Sequence, residues 1–264
     1  MSELPRLTTR VGHADWGDNR FRGHSVGDQL AGNTDLWSLI ALAVGHRRLS
    51  PLERAVLDDL VTCGCAADPR IWPLKAVRLA SAWGHAAPGL CAGLLATNGA
   101  HGPLSVRASA ESFLEIAGEL GKHGDDAKLE EIVATRLADP ERRFHGFGVA
   151  AREVDERAIT FARCLERRGV AIGAAWSLFV RIEATTRKLR GISANFGGTM
   201  AATFLDLGLT PAQLPAFVLT VLYPSLVANA HEGAEQAPAV LRELPAGAIE
   251  YLGVPPRLSP RAQR

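Results

Sequence analysis

Arg143-Phe144-His145-Gly146-Phe147-Gly148-Val149-Ala150-Ala151-Arg152-Glu153-Val154-Asp155-Glu156-Arg157 crosses the middle of the chain: a Gly-x-Gly turn around an aromatic residue, then charges and a helix start. Two glycines flanking one phenylalanine let the backbone pack closely or take positive φ, as a loop that grips a ligand requires. A Gly-x-Gly turn is common by itself. This one gains weight from two further segments, near His101 and Asn195, which stand at matching distances on either side.

Working outward, 264 residues suffice for one large domain, or one domain with a small appendage. With 47% hydrophobic and 22% charged residues, the composition is that of an ordinary soluble globular protein. A net charge of +1, with both signs interspersed, excludes a broad nucleic-acid footprint. Cys63, Cys65, Cys91 and Cys164 lack the spacing of a zinc knuckle, so no metal site is expected and the thiols read as reduced and partly buried. There is no charged n-region followed by an apolar h-region at the N-terminus, and the apolar run Leu214 to Ala230 is interrupted by Pro215 and Pro224. The expectation is a cytoplasmic protein that does not enter a membrane.

Residues 1–34, rich in Gly, Asp, Asn and His, form an N-terminal arm of turns or a short hairpin. Asn33-Thr34-Asp35 caps a helix from Leu36 to Val44. Ser50-Pro51-Leu52-Glu53 starts the next, with serine at the N-cap, proline at the first position and an acid in the first turn. Asp68-Pro69 opens a segment running to Trp83, and Leu90 to Thr97 is a small-residue apolar helix ended by Asn98-Gly99-Ala100-His101-Gly102-Pro103. Amphipathic helices follow over Ser109 to Leu120 and Asp125 to Leu137, then Asp155 to Arg168, Ala171 to Arg190, Ala194 to Leu207 and Pro211 to His231. The proline-rich tail from Pro245 reads as extended. No strand pattern longer than a few residues, no Rossmann or P-loop glycine motif and no His-Glu-x-x-His is present, so the fold class is all-α.

Three segments then stand in order: Gly93 to Gly102 ending in His101-Gly102, His145-Gly146-Phe147-Gly148-Val149, and Ile192-Ser193-Ala194-Asn195-Phe196-Gly197-Gly198 before an alanine-rich helix. This set resembles the citrate synthase superfamily, and the short length resembles its citryl-CoA lyase-type members. Thr8-Thr9-Arg10-Val11-Gly12, Phe21-Arg22-Gly23-His24 and Tyr251-Leu252-Gly253 resemble the two ends of that family. The resemblance implies a multi-helix fold with a large domain from 35–137 and 191–264, the latter including the tail, and a reduced small domain from 138–190 carrying the Gly-Phe-Gly loop. It also implies a homodimer, an acyl-CoA thioester as substrate and no covalently bound cofactor. Leu90 to Thr97 and Leu214 to Ala230 are the candidate dimer faces, because close helix approach favours small side chains.

By the same resemblance, His101 stands where the family's first histidine stabilises the enol of an acyl-CoA. Val149 falls where a second histidine would polarise the carbonyl partner, and Asn195 falls where an aspartate would remove the α-proton. Valine transfers no proton, and an amide has no usable basicity near neutral pH. The family's carboxylate-binding histidine falls near Cys63 to Cys65 and its late arginine near Leu222. These neutral replacements disfavour oxaloacetate or citrate, since desolvated carboxylates without a cation cost several kcal/mol, roughly.

The expected catalytic residues are therefore His101 and Asn195, with Cys63, His145, Phe147, Gly148, Val149, Arg152 and Ser193 lining the substrate site. Two functions remain open: an enzyme that makes or cleaves a C–C bond beside a thioester, or a non-catalytic binding or partner protein on the same fold. Bland alternatives stand beside each residue. His101 also suits a helix C-terminus, Asn195 an N-cap, Phe147 the core and Arg152 solvent.

Overall fold

The computed structural model describes residues 8–66, 68–98, 102–121, 124–139, 144–149, 153–171, 173–236 and 245–254. The arm is a three-stranded antiparallel sheet, β1 (Gly12–Asp15), β2 (Asp18–Phe21) and β3 (His24–Ser25), with Gly12 opposite Phe21 and Arg20 opposite Ser25. It carries one strand more than a hairpin. Arg22 fastens it to the helical body by donating Nε–H to the carbonyl of Ala43 at 3.2 Å.

Among the described residues ten α-helices make up the body: α1 (Leu36–Ala43), α2 (Pro51–Gly64), α3 (Trp72–Ser81), α4 (Ala86–Thr97), α5 (Pro103–Leu120), α6 (Asp126–Ala138), α7 (Glu156–Arg168), α8 (Ala174–Arg190), α9 (Phe196–Asp206) and α10 (Leu214–Glu235). Their starts follow local chemistry. Ser50 and Glu53 form a reciprocal capping box on α2. Asp35 and Asp125 accept the N–H of Ser38 and Lys128 at 3.0 and 2.9 Å. α8 begins at Gly173 with no side-chain cap of its own. Instead Asp206, at the end of α9, accepts the N–H of Ala175 and Trp176 at 2.9 and 3.0 Å, so one helix end closes another.

Several boundaries differ from the sequence expectation: α4 starts at Ala86 rather than Leu90, α8 at Ala174 rather than Ala171, and α10 spans Leu214–Glu235 rather than Pro211 to His231. α5 starts at Pro103 rather than Ser109, because the proline that terminates the preceding turn also occupies the first helical position. α10 is one 22-residue helix that runs through Pro224. Pro224 lies on its exposed side, where water can satisfy the carbonyl that loses its helical donor. By length and composition α10 could cross a membrane. Here it is a central core helix, with Phe217, Val218 and Val221 fully buried and Trp37 stacked on Phe217 at 6.0 Å between ring centroids.

One large core joins α1, α2 and α5 through α10. A smaller cluster of Leu74, Val77, Leu226 and Ala230 holds α3 and α4 against the second half of α10. α5 and α8 flank α9, and α7 lies along α2.

Candidate functional site

The central turn and the segment before α9 lie side by side. Phe147 and Ala194 form an antiparallel bridge. Asn195 N–H donates to the Gly146 carbonyl at 3.0 Å, and Gly148 N–H donates to the Ser193 carbonyl at 2.8 Å. The Asn195 side chain works in two directions. Its Oδ1 accepts the N–H of Gly198 at 3.2 Å, capping α9, and its Nδ2 donates to the Gly148 carbonyl at 3.0 Å, holding the turn. After these bonds Oδ1 keeps one lone pair and Nδ2 one hydrogen.

The glycines are required by this closeness. Gly146 has φ +88°, and a Cβ on Gly198 would stand 2.5 Å from the Gly146 carbonyl oxygen and 2.9 Å from Phe179 Cε2. Gly148 also has positive φ, +87°, but a Cβ there would meet nothing within 4 Å. The Phe147 ring points inward, 8% exposed, against Phe113, Phe144 and Phe179 at centroid distances of 6.0, 4.8 and 5.9 Å. Its side chain belongs to the core, and the turn presents backbone on its outer side. Val149 is half-buried beside it.

The start of α5 completes the cluster. Ser105 Oγ lies 3.3 Å from His145 Nδ1, and a Cβ on Gly146 would lie 3.2 Å from Ser109 Oγ. Gly102 is forced, since a Cβ would fall 1.7 Å from the Thr97 carbonyl oxygen. His101 and Arg152 lie outside the described residues. Chain connectivity nevertheless brings the described end of the His101-Gly102 turn to the same place, because Pro103 opens the helix that touches His145 and Gly146. The N-terminal ends of α5 and α9 therefore meet at the Gly-Phe-Gly turn, and both direct partial positive charge there.

Behind this seam stands a buried strut, Asp155 with Arg157. Asp155 is 3% exposed and caps α7. Its Oδ1 accepts from Arg157 N and Nε at 3.1 and 2.8 Å, and its Oδ2 from Arg157 Nη2 at 2.7 Å and Phe196 N at 2.8 Å. Burial alone would raise its pKa. The Arg157 guanidinium and the Phe196 N–H outweigh burial and hold it below the ordinary carboxylate range. A carboxylate so engaged positions Phe196, and hence Asn195, and is no proton acceptor. Arg157 also covers the Phe196 ring, with Cζ 5.1 Å from the centroid. The Asp-x-Arg spacing at a helix start was the available signal for this pair. Glu183, whose Oε1 accepts Ala194 N–H at 3.3 Å, carried no such signal.

Two other expected residues have definite places. Ser193 is buried and donates Oγ–H to the Glu153 carbonyl at 2.5 Å. Cys63 lies on α2, near Cys164 of the neighbouring α7. Burial and the neighbouring Cys164 sulfur push it up to about 11, so it is a neutral thiol at pH 7. The residue after it, Gly64, seats the Phe196 ring, since a Cβ there would lie 2.8 Å from Phe196 Cε1. Among the described residues, no group of three or more His, Cys, Asp or Glu side chains could hold a metal ion.

An all-α body in which a Gly-x-Gly turn pairs with the residues before a short buried helix is the fold of citrate synthases, in its short, citryl-CoA lyase-like form. Citryl-CoA lyase from Hydrogenobacter thermophilus superposes with a TM-score of 0.79 at 20% identity, covering 97% of this chain and 98% of that one. A variant of ATP citrate lyase from Methanosaeta concilii, in complex with (3S)-citryl-CoA, gives 0.71 at 16% identity, with 96% of this chain and 43% of that one covered. Citrate synthase from Thermoplasma acidophilum, in a ternary complex with carboxymethyl coenzyme A and oxaloacetate, gives 0.64 at 19% identity over 88% and 61%. At these identities the likeness establishes the fold. No protein-family model and no curated protein matches the sequence.

Proposed function

We propose that this chain acts on an acyl-CoA-type thioester and makes or cleaves a C–C bond next to the thioester carbonyl, with a partner less acidic than oxaloacetate or citrate. The observation that carries this reading is the convergence of the α5 start, the Gly146–Gly148 turn and the Asn195 cap in a fold whose solved relatives were captured with CoA compounds. His101 polarises the thioester carbonyl. Asn195 uses its remaining lone pair and hydrogen to orient substrate, and Val149 faces a carbonyl partner with little charge. His145, Gly148, Ser193, Cys63 and Arg152 complete the surroundings, while Phe147 fixes the turn from beneath.

Cleavage suits this set better than condensation. Breaking the C–C bond of a β-hydroxyacyl thioester leaves its electron pair on the α-carbon as the enolate, while the hydroxyl proton passes to water as the new carbonyl forms. The α-carbon then takes a proton from water, so no base is needed to remove an α-proton. Neither Asn195 nor Asp155 could be that base. CoA enters as substrate, with no covalently bound cofactor. The protein is a cytoplasmic homodimer in this reading.

Calorimetric titration with acetyl-CoA and with CoA tests the thioester site. Binding at or below millimolar ligand is expected, and absence of any heat at millimolar concentration would sink the proposal. Turnover against a panel of acyl-CoA thioesters then tests the chemistry, with His101→Ala expected to lower it by at least about a hundredfold.

A second reading is favoured by one feature: both ends of the Asn195 amide already brace the backbone. On that reading the protein binds a thioester, or a partner, without chemistry. Measurable CoA affinity with no turnover across the panel would select it.

A further inference from the structure

α2 and α7 pack antiparallel, and their register is fixed by an ion pair. Arg168 near the end of α7 meets Asp59 in the middle of α2, with Nη2 2.9 Å from Oδ1. One helical turn along the seam, Cys63 follows Asp59 by four residues and Cys164 precedes Arg168 by four. Residues four apart share a helix face, so the two cysteines face each other directly. The Cys164 sulfur stands close enough to raise the Cys63 thiol. Cys164 is buried, at 7% exposure, and its sulfur accepts from Arg167 Nη2 at 3.0 Å. Cys63 is half-buried and forms the outer edge of the pair.

We propose that Cys63 and Cys164 are a reversible redox pair whose disulfide fastens α7 to α2. A sulfur–sulfur bond needs an approach of two side chains that the Asp59–Arg168 register places at facing positions on packed helices. The oxidant is a low-molecular-weight disulfide of the glutathione class. The outer Cys63, as thiolate, attacks one sulfur of that disulfide; the S–S bond breaks, and one thiol leaves carrying the proton Cys63 gave up. Cys164, whose sulfur accepts from the Arg167 guanidinium, then gives up its proton and attacks the Cys63 sulfur. The second thiol departs with the second proton. Two cysteine thiols are oxidised, and one disulfide is reduced to two thiols.

The high pKa of Cys63 makes the first step slow at neutral pH, so the pair responds to sustained rather than brief oxidation. Closure has a defined structural reach. Gly64, next to Cys63, seats the Phe196 ring, and Asp155, the cap of α7, holds the Phe196 N–H. The bond ties together the two helices that grip the residue following Asn195.

The test is prolonged incubation of the intact protein with oxidised glutathione, followed by thiol counting after denaturation and mass mapping without reductant. Of the four cysteines, two thiols should disappear and return with dithiothreitol, and a cross-linked peptide pair should contain Cys63 and Cys164. Cys65→Ser and Cys91→Ser should close as the parent does, whereas Cys164→Ala should stop at a glutathione adduct on Cys63. Four thiols left after treatment, a stable mixed disulfide on the parent protein, or a Cys63–Cys65 bridge would each overturn the proposal. The mapping needs no variant, so poor folding of Cys164→Ala leaves it decisive.

Discussion

The seam around Asn195 and the layer made by α3 and α4 are built to opposite standards. At the seam, the turn and the α9 cap exchange backbone bonds, a buried carboxylate fixes the next residue, and glycines let main chains touch. In the α3–α4 layer only the inner face is finished. Gly93 packs so closely that a Cβ would stand 2.4 Å from Val77 Cγ2, and Gly89 would place one 1.8 Å from Ser81 Oγ. The outer face carries Trp83 at 77% and Leu95 at 80% exposure on or beside helices with little charge. The seam is complete within one chain. The layer leaves apolar surface that the other described residues do not cover.

Overfilling the seam gives the largest expected effect. Gly198→Ala drives a methyl group into the Gly146 carbonyl and the Phe179 ring, both backed by packed core. A loss of about 3 kcal/mol or more is expected, read as a lowered denaturation midpoint or as insoluble protein. A parent-like midpoint would mean that the seam is loose, and the contrast with α3–α4 would fail.

Removing the strut comes next. Asp155→Ala strands Arg157 and the Phe196 N–H and should cost roughly 3 kcal/mol. The pH dependence has a definite sign. Asp155 is held below its ordinary value in the fold, so its contribution is complete above about pH 4 and is lost as pH falls towards the depressed folded value. Asp155→Asn should therefore flatten the acid side of the stability profile. An unchanged slope there would assign acid sensitivity to other carboxylates, with Glu53 first among them. The Arg47 guanidinium lowers it to about 2 by hydrogen bonding.

Gly148→Ala separates strain from crowding within the same turn. Its φ of +87° penalises a side chain, yet the space around it is open. About 1 kcal/mol is expected, well below the Gly198→Ala loss. Equal losses would show that backbone conformation, rather than close approach, sets the cost.

This gradient also explains what could be read in advance. The Ser50–Glu53 capping box, the α2 start and the glycine ends of α5, α7 and α8 are local, and each is present where the residues announce it. Pro103 was legible as a helix breaker but not as a first helical residue, because that depends on where the chain enters the next helix. The pairing of Gly148 with Ser193 and Asn195 spans residues far apart in sequence, and only family resemblance placed them together. The Asp155–Phe196 bond and the facing of Cys63 and Cys164 across the α2–α7 seam had no precedent in that pattern. Long-range side-chain partners follow from helix packing, which spacing along the chain does not encode.

The α3–α4 face provides the smallest effect on the protomer and the sharpest test of the contrast. Leu95 projects into solvent from the uncharged α4, so Leu95→Glu should change protomer stability by no more than about 0.5 kcal/mol. If this face meets a second copy in the proposed dimer, the same substitution buries an unpaired charge there, which costs several kcal/mol, roughly. Sedimentation at micromolar concentration should then give twice 28.2 kDa for the parent and 28.2 kDa for the variant. A parent at 28.2 kDa would break the dimer reading, whereas a dimer that survives Leu95→Glu would move its interface to another face. In both cases the seam should be untouched, since α4 packs on α3 and α10.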